Sequence, residues 1–304
     1  MSIVVVGSSN TDLVVNVPKI PLEGETILGS KFRTHKGGKG ANQAVAASRL
    51  GADTTFIACI GNDDFGNRAI KSYNEEGINT KYIQREGETS GVALITVSDQ
   101  GRNTISVSPE SNGLLSPKHI DQALDVIRKA KVVLTQFEIP IPTIEYLIKR
   151  CNECSAKFIL NPAPALKLPE YLFKFIDIIT PNETEAESLT GIKVTDEKSA
   201  NLSAAKLIQK GVKEVIITLG DKGAYLHSKT QQKLIPGFKV NAIDTTAAGD
   251  TFNGALAYSI TQNKPTEEAI IFANAASALA VTKNGAQSST PKFSDVNKFL
   301  NKFI

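Results

Sequence analysis

Short apolar runs at residues 3–6, 55–60, 132–135, 158–160, 176–179 and 215–219 recur along the chain, separated by segments with the apolar spacing of helices. Runs that are apolar throughout, rather than on alternate residues, suit strands buried on both faces. Helices are expected between them, at 65–76, 116–130, 141–154 and 199–210, each closing near a glycine or a polar break. The alternation predicts an α/β fold: a three-layer α/β/α domain around a mostly parallel central sheet. Residues 12–34 and 91–108 depart from it, showing paired short strands around Pro18, Pro21, Gly24 and Gly29 and around Asp99, Gln100 and Gly101. These predict a small second β-sheet. It lies beside strand ends, where open α/β sheets bind ligands, and is therefore a candidate lid. No repeat, low-complexity tract or linker is visible, so residues 1–304 read as one domain.

Composition narrows the possible partners. The chain carries 34 basic and 31 acidic residues, a net charge of +3, with the basic residues scattered. That distribution argues against a nucleic-acid partner. The N-terminal apolar run is too short for a signal peptide or a membrane span, so no membrane is involved and a cytoplasmic location is expected. Three cysteines, Cys59, Cys151 and Cys154, cannot form a disulfide framework in 304 residues. Cys151 and Cys154 form a lone CxxC with no second half of a zinc site, and are read as two helical cysteines.

Five stretches carry candidate chemistry. Gly37, Gly38, Lys39, Gly40, Ala41, Asn42 and Gln43 lead into an alanine-rich helical segment. Glycines at a helix start permit close ligand approach and offer unpaired N–H groups, or simply make a turn. This is not a phosphate-binding loop of the Walker A type, because Arg33 and Gly40 stand where it needs Gly and Ser or Thr. In the stretch from Asp244 to Phe252, Ala247, Ala248 and Gly249 bring successive small residues to another helix start. Their N–H groups could hold an anion that gains charge in reaction. Asp250 in that turn either caps the helix or accepts a hydroxyl proton.

The acidic stretch 180–187, with Asn182 and Glu185, either opens a helix or positions a Mg²⁺–phosphate. The turn 218–223 either seats nucleotide phosphates or connects two elements. Asn10, Asp12 and Glu138 stand at strand ends, where short amides and carboxylates suit vicinal sugar hydroxyls or form turns.

In order, GGKGANQAVAASRLG (37–51), Asn161-Pro162-Ala163-Pro164, PNETEAE (181–187), TLGDKG (218–223) and DTTAAGDTFNGAL (244–256) resemble the PfkB-type, ribokinase-like family of carbohydrate kinases. The match runs from Val6 to about Pro291. The resemblance implies an enzyme that phosphorylates the 5-hydroxyl of D-ribose with ATP. Asn10, Asp12, Gly38, Lys39, Gly40, Asn42 and Glu138 would hold the sugar, and Asp250 would be the base beside Ala247, Ala248 and Gly249. Asn182, Thr218, Gly220, Lys222, Gly223, Gly249 and Asn274 would contact ATP, with Glu185 orienting Mg²⁺. An activating K⁺ would draw on Asp244, Thr246, Ala280, Lys283, Gly285 and Ser289.

The resemblance further implies a homodimer through the lid sheet. Two departures stand out: Ala247 where many relatives have Gly, and Glu110-Ser111-Asn112-Gly113 where a glycine-alanine-asparagine stretch is expected near the sugar. Competing readings are a kinase for another sugar, such as deoxyribose or fructose 6-phosphate, or for a nucleoside, and a sugar-binding regulator without turnover. Hydride transfer on a dinucleotide is disfavoured, since Gly7 alone follows the first strand.

Overall fold

The computed structural model describes residues 2–303. In chain order the strands are β1 (Ser2–Val6), β2 (Asn10–Val17), β3 (Lys31–Gly37), β4 (Asp53–Ile60), β5 (Ile83–Arg85), β6 (Gly91–Ser98) and β7 (Asn103–Ser108). There follow β8 (Val132–Thr135), β9 (Lys157–Leu160), β10 (Ile178–Ile179), β11 (Glu214–Thr218), β12 (Gly223–His227) and β13 (Gln232–Pro236). The helices are α1 (Lys39–Arg49), α2 (Asp64–Glu75), α3 (Pro117–Gln122), α4 (Leu124–Lys129) and α5 (Ile141–Asn152). The C-terminal half adds α6 (Glu183–Thr190), α7 (Glu197–Gln209), α8 (Ala248–Thr261), α9 (Thr266–Ala280) and α10 (Phe293–Leu300).

The large sheet runs β13-β12-β11-β10-β9-β8-β1-β4-β5, parallel from β11 to β5 and antiparallel at the β12 and β13 edge. Successive side chains of a strand point to opposite faces. Val4, Val6, Val133, Phe158 and Leu160 accordingly join one buried cluster with residues of α3, α5 and α7. Ile3, Val5, Val132, Leu134 and Ile159 join a second cluster with residues of α1, α8 and α9. Both faces are covered, which is why these strands read as unbroken apolar runs. The expected three-layer architecture is the one observed.

Two expectations change in detail. The helix expected over 116–130 is two short helices meeting at Ala123, whose N–H bonds back only three residues, to the Ile120 carbonyl. The strand expected at 176–179 begins at Ile178, because a 3₁₀ turn (Glu170–Phe175) runs up to Ile176. The small sheet has the order β3-β2-β6-β7, two antiparallel hairpins joined through the parallel pair β2 and β6. Its strands leave the large sheet at the C-terminal end of β1, and register puts Asp12, His35, Ala93 and Val107 side by side across all four.

Candidate active site

Three neighbouring hollows lie at the C-terminal ends of the parallel strands. The first, about 350 Å³, is lined by Asn10, Val107, Asn112, Phe137, Glu138 and further residues of the same loops. Asn10 Oδ1 accepts from Asn112 Nδ2 at 2.7 Å, while Asn112 Oδ1 accepts the Ser9 N–H at 2.8 Å. The stretch 110–113 therefore still delivers an asparagine to Asn10 despite its changed sequence. It does so with Glu110 at φ 44°, a left-handed conformation suited to glycine. Glu138 Oε2 accepts from Ser8 Oγ at 2.5 Å and from the Lys39 N–H at 2.9 Å. Burial, reinforced by the carboxylates of Glu138 and Asp250 against the opposing charge of Lys39, raises the Asp12 carboxyl to about 7.

Gly38 precedes α1 with φ 88°, and a Cβ there would stand 2.7 Å from the Asn10 nitrogen. Only glycine allows α1 and β2 to start so close together. The N–H groups of Lys39, Gly40 and Ala41 all bond to Ser8 or Glu138. Of the two readings of this turn, the structural one holds for these amides: the turn packs two backbones and brings the side chains of Lys39, Asn42 and Gln43 to the site.

The second hollow, about 220 Å³ and mostly polar, includes Lys39, Asn182, Glu185, Thr245, Asp250 and Asn253 in its lining. Asp250 is 6 % exposed and does not cap α8, whose N-cap is Ala247. Its Oδ2 accepts from Asn42 Nδ2 at 2.9 Å and its Oδ1 from Gln43 Nε2 at 3.0 Å. Ala247 has φ 58°, so the residue that departs from glycine does sit in a glycine-like conformation. The Ala248 N–H is engaged by the Thr245 carbonyl, whereas the N–H groups of Gly249 and Asp250 belong to a first turn without helical acceptors. Burial would lower the Lys39 ammonium, but Asp250, Glu138, Glu185 and Asp12 together outweigh it and hold Lys39 above its ordinary range.

The third hollow is a cleft of about 590 Å³ whose lining includes Asn182, Thr218, Gly220, Gly223, Gly249 and Asn274. It shares Asn182, Thr218, Thr245, Ala248 and Gly249 with the second, so the two join beside Asp250. Asn182 caps α6 and exchanges reciprocal bonds of 2.8 and 2.9 Å with Glu185. Burial raises the Glu185 carboxyl, opposed by the Asn182 N–H and Lys39. Asn274 Nδ2 donates to the carbonyls of Ile235 and Pro236. Lys222 is exposed and does not line this cleft.

Of the last expected set, Asp244, Thr246 and Gly285 meet. Asp244 Oδ1 accepts from the Thr246 N–H and Oγ1 at 2.9 and 2.6 Å, and Oδ2 from the Gly285 N–H at 2.8 Å. Burial would raise this carboxyl, but those donors hold it below the ordinary carboxylate range. Lys283 is exposed, its N–H bonded to the Ala280 carbonyl, and the Ser289 hydroxyl donates to the Ala286 carbonyl. Arg49, which sequence reasoning passed over, binds the carbonyls on either side of this turn, Gln287 at 2.5 Å and Thr290 at 3.0 Å. Gln43, Thr180 and Asn253 lay inside the candidate stretches but were given no role of their own, and Ser8 and Gln136 were passed over. All five are buried polar residues, and burial is not visible in spacing.

Residues 1–292 match the family described as pfkB family carbohydrate kinase. The chain belongs to this family. It is 44 % identical over 300 residues to a ribokinase of Haemophilus influenzae, with 98 % of each chain covered. It is also 37 % identical over 302 residues to a deoxyribokinase of Salmonella typhi, with 99 % of each covered. Among solved structures, ribokinase of Arabidopsis thaliana complexed with ribose and ATP superposes with a TM-score of 0.90, at 34 % identity and 98 % coverage of both chains. Ribokinase of Thermotoga maritima superposes with a TM-score of 0.91, at 41 % identity, covering 98 % of this chain and 99 % of that one.

Proposed function

We propose that the chain transfers the γ-phosphoryl group of ATP to the 5-hydroxyl of D-ribose, giving D-ribose 5-phosphate and ADP. The observation that carries this reading is the Asp250 carboxylate, unused as a helix cap, at the junction of a small amide- and carboxylate-lined hollow with a large cleft. The hydroxyl oxygen attacks the γ-phosphorus, Asp250 takes its proton, and the bond from phosphorus to the bridging oxygen of ADP breaks. Positioning and charge stabilisation supply most of the acceleration in such a transfer. Lys39 and the N–H groups at the start of α8 answer the charge on the moving phosphoryl group.

Asn10, Asp12, Asn42 and Glu138 form the sugar set. Asn42 Oδ1 is buried without a partner, and a sugar hydroxyl would relieve that cost. The Arabidopsis complex with ribose and ATP supports both ligands. Asn182, Thr218, Gly220, Gly223, Gly249 and Asn274 form the nucleotide set.

Two cations fit the residues present. Glu185, a buried carboxylate facing the hollow that holds Asp250, suits Mg²⁺, which prefers oxygen ligands and phosphate partners. Held there, it would neutralise charge on the ATP phosphates. Asp244 and Thr246, with the main-chain carbonyls of Ala280, Lys283, Gly285 and Ser289, would supply oxygen ligands suited to K⁺, whose charge would add to that of the α8 N-terminus in holding the phosphates. We further propose that the small sheet closes over the sugar and pairs with a second copy, supported by Phe32, Leu94 and Ile105, which are 64 %, 56 % and 55 % exposed. A cytoplasmic location is supported by three free cysteines and by the absence, among the described residues, of a helix able to cross a membrane.

The test is ADP release by a coupled assay over D-ribose, 2-deoxy-D-ribose and fructose 6-phosphate, with and without K⁺. Preference for D-ribose is expected, and a preference for 2-deoxy-D-ribose would align the chain with its deoxyribokinase relatives instead. Asp250→Asn should lower kcat roughly 10²- to 10⁴-fold with ATP binding retained. Turnover near that of the unaltered enzyme would remove Asp250 as the base.

A further inference from the structure

Behind Asp250 runs a line of buried carboxamides to which the proposed reaction assigns no role, reaching the lining of the same hollow at Asn161. Gln43 is fully buried, and its Nε2 donates both to Asp250 Oδ1 and to Asn161 Oδ1, each at 3.0 Å. Its Oε1 accepts from Gln136 Nε2 at 2.6 Å. Asn161 in turn donates through Nδ2 to the main-chain carbonyl of Thr180 at 3.2 Å.

A carboxamide has one donating and one accepting end, so a chain of them transmits orientation. The Thr180 carbonyl can only accept, which turns the oxygen of Asn161 toward Gln43. Gln136 presents N–H to the other end of Gln43. Both neighbours therefore require Gln43 to offer Asp250 an N–H and never its oxygen. Gln136 holds this orientation although its own Oε1 is buried without a partner. That oxygen occupies space that a Cβ on Gly7 would enter, at 2.1 Å, so glycine at position 7 is what admits the amide.

The two oxygens of Asp250 are thus held differently. Oδ1 is bonded to a side chain fixed from behind, whereas the bond to Oδ2 comes from Asn42, a residue of the proposed sugar set whose own oxygen is unpaired. From this asymmetry we infer that Gln43 is a positioning residue that pins Oδ1 of the base, oriented by Gln136 and Asn161. Oδ2 is then the oxygen that takes the substrate proton. The inference rests on Asp250 being the base, and concerns how that base is aimed.

Gln43→Met roughly keeps the volume and removes all three bonds. It should lower kcat roughly 10- to 100-fold while the KM values for sugar and ATP stay within about twofold, because what is lost is alignment in the reacting complex. Gln136→Met touches neither Asp250 nor substrate and acts only by releasing Gln43. It should lower kcat roughly three- to tenfold, and the double variant should be no slower than Gln43→Met alone. Independent multiplication of the two kcat losses would overturn the relay, as would a Gln43→Met enzyme with unaltered kcat. If Gln43→Met does not fold, as judged by circular dichroism, Gln136→Met decides alone: unaltered kcat overturns the inference and a kcat-only loss sustains it. Asp250→Asn, measured in parallel, separates this outcome from failure of the base assignment itself.

Discussion

Asp12 offers a quantitative handle on the sugar hollow. Its carboxyl is raised to about 7 from 3.8, chiefly by burial and then by the like charges of Glu138 and Asp250. A group with that value is roughly nine-tenths protonated at pH 6 and one-tenth at pH 8. The ionised carboxylate can accept two hydroxyl hydrogen bonds in charge-assisted geometry, and the protonated form loses that capacity. If sugar binds the ionised form, its dissociation constant should fall about tenfold between pH 6 and pH 8, with roughly half a proton released per sugar bound at pH 7.

Calorimetric titration of D-ribose without nucleotide, in two buffers of different ionisation heat, reads both quantities. Asp12→Asn should bind weakly and without this slope. A flat profile for ribose binding to the unaltered protein, or the same slope in Asp12→Asn, would rule out Asp12 as the group that titrates with binding. The sign for stability runs the other way. The folded protein holds the Asp12 proton to higher pH than the unfolded chain does, so its contribution is greatest below about 4 and is lost as pH rises toward 7. Sugar-free protein should therefore melt lower at pH 8 than this group alone would give at pH 5.

Two further outcomes follow from backbone and ion-pair geometry. Ala247→Gly relieves a left-handed residue worth about 1–2 kcal/mol but frees the unfolded chain by about 0.5–1, so Tm should rise roughly 1 °C by differential scanning fluorimetry. A fall in Tm would show that φ 58° at this position carries no strain. Arg49→Met leaves Glu76 and the carbonyls of Gln287 and Thr290 without their donor, and should cost roughly 2–3 kcal/mol, seen as a Tm lower by roughly 3–5 °C. An unaltered Tm would mean that solvent replaces these bonds without loss.

The layers of the fold were legible because burial on both faces writes itself into a strand as an unbroken apolar run, as in Ile3 to Val6. The antiparallel edge was not: β12 begins at Gly223, inside a glycine turn whose residues also suit a ligand loop. Asp250 and Glu138 could be nominated from their places at a helix start and past a strand end. Gln43 and Gln136 could not be assigned roles, because an amide has no spacing signature. Their meaning comes from four chain segments, around 43, 136, 161 and 250, converging at hydrogen-bond distance. The turn at Gly38 stayed open between two readings for a related reason: sequence shows that a helix start has N–H groups, but not that Ser8 and Glu138 already occupy them.

The charge pattern gives the proposed reaction its order of needs. Lys39 is an ammonium influenced by four carboxylates, those of Asp12, Glu138, Glu185 and Asp250. The carboxylates outnumber it, and burial raises two of them, Asp12 to about 7 and Glu185 above its ordinary range. A triphosphate brought into such a site meets repulsion unless positive charge accompanies it, since like charges a few ångströms apart in a buried site interact far more strongly than in water. The site is therefore better matched to an ATP–cation complex than to bare ATP. Gln43 and Asn42 keep the Asp250 carboxylate aimed at the place where that complex and the sugar hydroxyl would meet, so the cation brings the phosphates in while the carboxamides hold the base in line.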